Sequence, residues 1–194
     1  MKVLQLFIGC VLISMAGFAQ KKSISPDIRK FKKDTIVWQA DSLLKKEDFK
    51  ARYKGSNGPL GFTDAAIFIY PGENSGQLIF YVEALFFKSK SYIVKYSEYV
   101  LKHEQIHFDI AELYARKLRQ KIADTDFKKV KDVRGEITRF FRQTFADFKK
   151  EEEKYDKDTQ HGLNPAKQQL WNDDIQNRIK ELDKYSDSAI DIAH

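Results

Sequence analysis

The chain has 194 residues, with 34 Lys and Arg against 28 Asp and Glu, and a formal net charge of +6 with histidine neutral. A single cysteine excludes an internal disulfide. The basic residues alternate with acidic ones and form no glycine-rich or aromatic RNA-binding signature, so the excess charge reads as solvated helix faces and nucleic acid is excluded as a partner.

Met1-Lys2, the apolar run Val3 to Ala16 and the small residues Gly17 and Ala19 have the layout of a signal peptide over residues 1–19, cut after Ala19. The apolar run is shorter than the roughly 20 residues that span a bilayer, so no stable membrane insertion is expected after cleavage. Phe7-Ile8-Gly9-Cys10 resembles a lipoprotein cleavage box. The apolar run continues past Cys10, however, which makes lipidation the weaker reading. The expectation is an exported protein, periplasmic or secreted, whose mature chain has no cysteine. Residues 20–34 are polar, contain Pro26, and read as a flexible leader. Residues 35–190 are long enough for one domain around one core.

Within that domain, Thr35 to Trp38 reads as a strand and Ser42 to Phe49 as a short amphipathic piece that Ser42 could cap. Lys54 to Gly61, with three glycines and Pro59, is a loop. Ala65 to Tyr70 is a strand stopped by Pro71-Gly72, and Gln77 to Phe87 is a long β-prone run. The turn residues between them predict a hairpin. Tyr92-Ile93-Val94 is a further extended piece. Ser97 to Ala123 contains no Pro or Gly and repeats apolar residues at helical spacing. A second helix is expected over Asp124 to Tyr155, with Phe127, Ile137, Phe140, Phe145 and Phe148 in its buried stripe. A third is expected over Ala166 to Tyr185, carrying Leu170, Trp171, Ile175 and Ile179. Strands followed by helices predict an α+β fold.

The first long helix carries His103-Glu104-Gln105-Ile106-His107. Two histidines four apart lie on one helix face and can bind one metal ion, while the intervening Glu can take a proton from water. The competing reading, two solvated surface histidines, leaves Val100, Leu101, Ile106, Phe108 and Ile110 around them unexplained. A catalytic Zn2+ needs a third protein ligand and an open position. Leu113 stands where a metzincin carries its third histidine, and Glu112 points away from the His103/His107 edge. Of the other two histidines, His194 is terminal. His161, in a glycine turn after a helix that can return beside the first, is the preferred third ligand, with Asp156 and Glu136 as fallbacks. Asp156 could instead hold His161 through its second ring nitrogen. His161-Gly162 also reads as an ordinary helix C-cap. Tyr155 is read either as an oxyanion donor or as a half-buried tyrosine at a helix end.

The stretch HEQIHFDIAELYARKLR is similar to that of a bacterial family of unknown function described as predicted secreted zinc-dependent proteases. The Trp38–Phe49 segment, the Ala65-Ala66 and Val82 to Phe86 strands, and Tyr155-Asp156-Lys157-Asp158-Thr159-Gln160-His161-Gly162 followed by Trp171-Asn172 also resemble that family. The chain departs from it where Trp38 lies well before Asp48-Phe49. The resemblance implies metal ligands His103, His107 and His161 with Glu104 as base. The expected fold is zincin-like, a small sheet on the active-site helix, with the Ala84 to Phe87 strand at the sheet edge to receive a peptide or protein substrate. The expected function is zinc-dependent hydrolysis of peptide bonds. Alternatives are a zinc amidase acting on cell-wall or other amides, and a non-catalytic metal-stabilised binding module.

Overall fold

A computed structural model describes residues 33–55, 58–74 and 77–192. The expected signal peptide, Cys10, most of the leader and His194 lie outside the described residues, as does the middle of the hairpin turn. The fold is α+β. Its strands are β1 (Thr35–Val37), β2 (Gly61–Phe62), β3 (Ala65–Asn74), β4 (Gln77–Phe87), β5 (Tyr92–Ile93) and β6 (Ala189–Asp191). Its long helices are α1 (Glu98–Ala123), α2 (Val133–Thr159) and α3 (Pro165–Glu181).

Strand β4 is the spine of the larger sheet. It pairs antiparallel with β3 from Ala65↔Phe86 to Asn74↔Gln77. Its other side is shared by β1, with Ile36↔Phe86, and β6, with Phe80↔Ile190. The Ala84 to Phe87 segment expected at the edge is therefore central, and β3, like the short β1 and β6, has β4 as its one neighbour among the described residues. That also explains why β3 continues past Pro71, which pairs with Phe80 instead of ending the strand. A proline lacks the N–H that a second neighbour would need, so an edge strand tolerates it. Strands β2 and β5 form a separate two-stranded ribbon, Gly61↔Ile93 and Phe62↔Tyr92.

Val82, Ala84 and Phe86 alternate along β4 and enter the core that contains α1. Helix α1 is apolar on more than one face: Phe108, Ile110, Ala111, Leu113, Ala115 and Leu118 are fully buried. A helix with this pattern belongs in the middle of a fold, here between the sheet and the other two helices. Burying each large apolar side chain contributes about 1.5–3 kcal/mol. The stripes on α2 and α3 are narrower than expected, with Phe145 and Leu170 exposed.

Local side-chain chemistry sets the helix ends. Ser97 accepts the Val100 N–H at 3.1 Å and starts α1 at Glu98. Helix α2 begins at Val133, not Asp124, because the intervening polar residues close turns of their own. Thr125 Oγ1 donates back to the Lys121 carbonyl, and Asp126 accepts from Lys128. Asp132 then caps Gly135 at 2.8 Å. Asn164 caps α3 through Lys167, with Pro165 at the first helical position. The Ser42–Phe49 piece shrinks to one 3-10 turn, Lys46–Asp48. The N–H of Leu44, just before it, donates to Gln105 Oε1 at 2.8 Å and ties this segment to α1. Glu112, the discarded ligand, sits in a buried cluster with Arg116 and Arg119. Arg119 also donates to the carbonyls of Val82, Tyr185 and Ser186, joining helix, sheet and C-terminal return.

Candidate metal centre

His103 and His107 present successive turns of α1 toward the end of α2. Nε2 of His103 is 3.3 Å, and Nε2 of His107 3.2 Å, from the same oxygen, Oδ1 of Asp156. The other edge of each ring is also engaged. Nδ1 of His107 lies 2.9 Å from Oε1 of Glu152, and Nδ1 of His103 lies 2.7 Å from the Tyr155 hydroxyl. That hydroxyl donates to the His103 carbonyl at 3.3 Å, so it is free to accept a hydrogen from Nδ1. Tyr155 is fully buried, stacks on His103 with centroids 4.7 Å apart, and meets Trp171 edge to face.

These bonds favour rings that carry hydrogen on Nδ1 and a lone pair on Nε2. Two lone pairs then face one carboxylate oxygen, an arrangement that needs either a proton or a cation between them. The 3.2–3.3 Å spacing also matches the roughly 3.3–3.5 Å that separates two ligands of a tetrahedral zinc. His103, His107 and Asp156 thus form a group that could hold a metal ion, their ligand atoms within 4.8 Å of one another. The charges are strongly coupled. Burial alone would lower the pKa of His107, but Glu152 and Asp156 raise it well above its ordinary value. Burial likewise works to raise Asp156, and the two imidazoles outweigh it, holding the carboxyl far below the usual range.

His161 is brought to the same place but stands one step outside that group. Its Nδ1 is 3.5 Å from Oδ2 of Asp156, and its side chain is 69% exposed. Glu136 is remote, paired with Arg139 on the exposed side of α2. The turn that presents His161 is tightly specified. Thr159 is buried, donates to the Tyr155 carbonyl at 2.7 Å, and accepts Asn164 N–H on its own carbonyl at 2.9 Å. Gln160, His161 and Gly162 have φ of 53°, 54° and 78°. Two consecutive non-glycine residues in the left-handed region are uncommon and cost energy that the surrounding bonds must offset. Gly162 is needed twice over: a β-carbon there would take up a strained φ and sit 3.2 Å from Cγ of His103.

The Glu104 carboxylate lies against the ribbon. Gly61 of β2 lies so close to its carboxylate that a β-carbon there would collide with Oε1. Thr63 Oγ1 donates to the Glu104 carbonyl at 3.1 Å. Oε2 of Glu104 is buried and has no hydrogen-bond partner among the described residues. Burial raises its pKa, against the pull of His107, His103 and Thr63. An orphaned carboxylate oxygen beside two imidazoles fits a group that takes a proton from a water bound at the centre.

Sequence reading did not single out Glu152 or the structural part of Thr159. Helical spacing could have found both, because residues 152, 155, 156 and 159 share one face of α2. Residues 88–162 match a family model described as "Bacterial protein of unknown function (DUF922)". The matched stretch contains His103, His107 and Asp156, together with Glu104, Glu152, Tyr155 and His161. No curated protein and no solved structure matches the chain.

Proposed function

We propose that the chain is an exported zinc-dependent metallohydrolase with a zincin-like fold, acting on peptide bonds. One observation carries this reading: both histidine Nε2 atoms converge on Asp156 while both Nδ1 atoms are held by Tyr155 and Glu152, and the buried Oε2 of Glu104, the residue next to His103, has no hydrogen-bond partner among the described residues. His103, His107 and Asp156 would hold the ion, and His161 would steady the second oxygen of Asp156. Bound there, zinc would polarise a scissile carbonyl and make a water more acidic. Glu104 would accept one proton of an attacking water as the water oxygen bonds to the carbonyl carbon. When the C–N bond breaks, Glu104 returns the proton to the leaving nitrogen. Tyr155 and Glu152 orient the imidazoles and fix their tautomers. The matched family description states no activity, so the reading rests on the residues.

The test is Glu104→Gln, which removes the base but no proposed ligand. Zinc content is expected to stay at the wild-type level while hydrolysis of denatured protein falls by roughly 10²–10⁴-fold. Unchanged hydrolysis would refute the role of Glu104; loss of zinc would make it a ligand. Export is tested by N-terminal sequencing of envelope or secreted protein, with Gln20 expected first. A chain beginning at Cys10 would overturn cleavage after Ala19.

A further inference from the structure

His161 is placed at the centre by two contacts, and the proposed chemistry uses one side of its ring. Its backbone N–H donates to the Asp156 carbonyl at 2.8 Å, and Nδ1 lies 3.5 Å from Oδ2 of the same residue. Oδ1 of that carboxylate faces His103 and His107, so the His161 ring stands one carboxylate away from the proposed histidine ligands. Exposure rises across this group, from 8% and 11% for the side chains of His103 and His107, through 34% for Asp156, to 69% for His161. The group is therefore open on the side of His161, and a molecule entering from there passes that ring. Nε2 of His161 has no partner among the described residues. The Tyr155 hydroxyl, by contrast, is already engaged by both the ring and the carbonyl of His103.

The backbone supplies a second observation. One left-handed residue is enough to close a helix, and Gln160 provides it at φ 53°. His161 repeats the conformation at φ 54°, beyond what the cap needs. Backbone strain of this kind clusters at active sites and ligand clamps. We infer that His161 is a substrate-binding residue, whose Nε2 accepts a hydrogen bond from a backbone N–H of an extended polypeptide beside the scissile bond. This deepens, and rests on, the peptide-hydrolase reading. The tautomer follows from the neighbours: a neutral ring that turns Nδ1–H to the Asp156 carboxylate carries its lone pair on Nε2. A polypeptide has one backbone N–H per residue, proline excepted, so a bond brought to the centre arrives with a donor beside it.

The experiment uses zinc-loaded Glu104→Gln protein, which keeps the proposed ligands and lacks the base, with fluorescein-labelled β-casein as the probe, followed by anisotropy. Two added variants divide the ring between its nitrogens. His161→Asn keeps an amide donor near the place of Nδ1, reaches no farther, and tolerates a left-handed φ. His161→Gln carries its amide out to the place of Nε2. The asparagine variant is expected to keep its zinc and to bind casein about threefold to tenfold more weakly, as for one lost neutral hydrogen bond. The glutamine variant is expected to bind within about twofold of the parent, because its amide oxygen can accept in place of Nε2. Zinc content and unfolding midpoint check that each variant is folded. No casein binding by the parent, binding unchanged in both variants, or an equal loss in both overturns the contact. Zinc lost from both variants would make His161 a ligand and also overturn it. If wild-type protein leaves casein uncut while the asparagine variant weakens binding and the glutamine variant retains it, the hydrolase reading fails and the His161 contact stands.

Discussion

Tyr155→Phe separates the two parts a tyrosine at this position can play. The substitution removes one oxygen from a fully buried ring. The stack on His103 and the edge contact with Trp171 need only the ring and should survive. What is lost is the 3.3 Å donation to the His103 carbonyl and the 2.7 Å bond to Nδ1 of His103, the second leaving a buried ring N–H without an acceptor. An unsatisfied buried donor costs about 1–3 kcal/mol, or roughly 5–150-fold in an equilibrium constant. That range brackets the roughly 10–100-fold in metal affinity that removal of an outer-shell partner usually costs. A competitive zinc titration against a chromophoric chelator should therefore show affinity lower by about 10–100-fold, with nearly unchanged circular dichroism. Affinity within twofold of wild type would refute the orienting part. If zinc binding held while hydrolysis fell, Tyr155 would instead be the oxyanion donor that its sequence position also allows.

Three further outcomes follow from the same geometry. Gly162→Ala forces a left-handed alanine against His103 and should cost about 1–2 kcal/mol. At roughly 2–4 °C per kcal/mol for a domain of this size, the metal-free midpoint should fall by several degrees; an unchanged Tm would count against the turn geometry. Asp156→Ala should abolish stoichiometric zinc binding, whereas His161→Ala should only weaken it; the reverse order would make His161 the third ligand. In metal-free protein the raised pKa of His107 means that its paired charge contributes stability in full below its ordinary value of 6.5. That contribution is lost as pH rises through the elevated folded value. Zinc must displace the same proton, so its affinity should rise with pH over that window. Calorimetry in two buffers should find about one proton released per zinc near neutral pH; no release would contradict the coupling.

The long helix α1 and its pair of histidines were legible because helical periodicity is a local property of the chain. The β3–β4 hairpin was legible for the same reason. The sheet order was not: β1 and β6 are three residues each, and their pairing with β4 depends on long-range contacts with no local pattern. The start of α2 was misread because Asp124 to Asp132 carry helix-compatible residues whose side chains bond their own backbone instead. At the site, Asp156 was a fallback and His161 the preferred ligand, since histidine is the commoner metal ligand. Three successive left-handed residues then turn His161 outward and leave Asp156 between the rings. Such backbone conformations at non-glycine positions cannot be read from spacing.

The central claim is that α1 and α2 together hold a zinc ion. Its most direct test is elemental analysis of the purified mature protein, dialysed free of loosely bound metal, alongside His103→Ala and His107→Ala. The account predicts one zinc per wild-type chain and loss of that zinc from either variant. Full zinc retained by both variants, or wild-type protein that takes up no zinc when it is supplied, would contradict it.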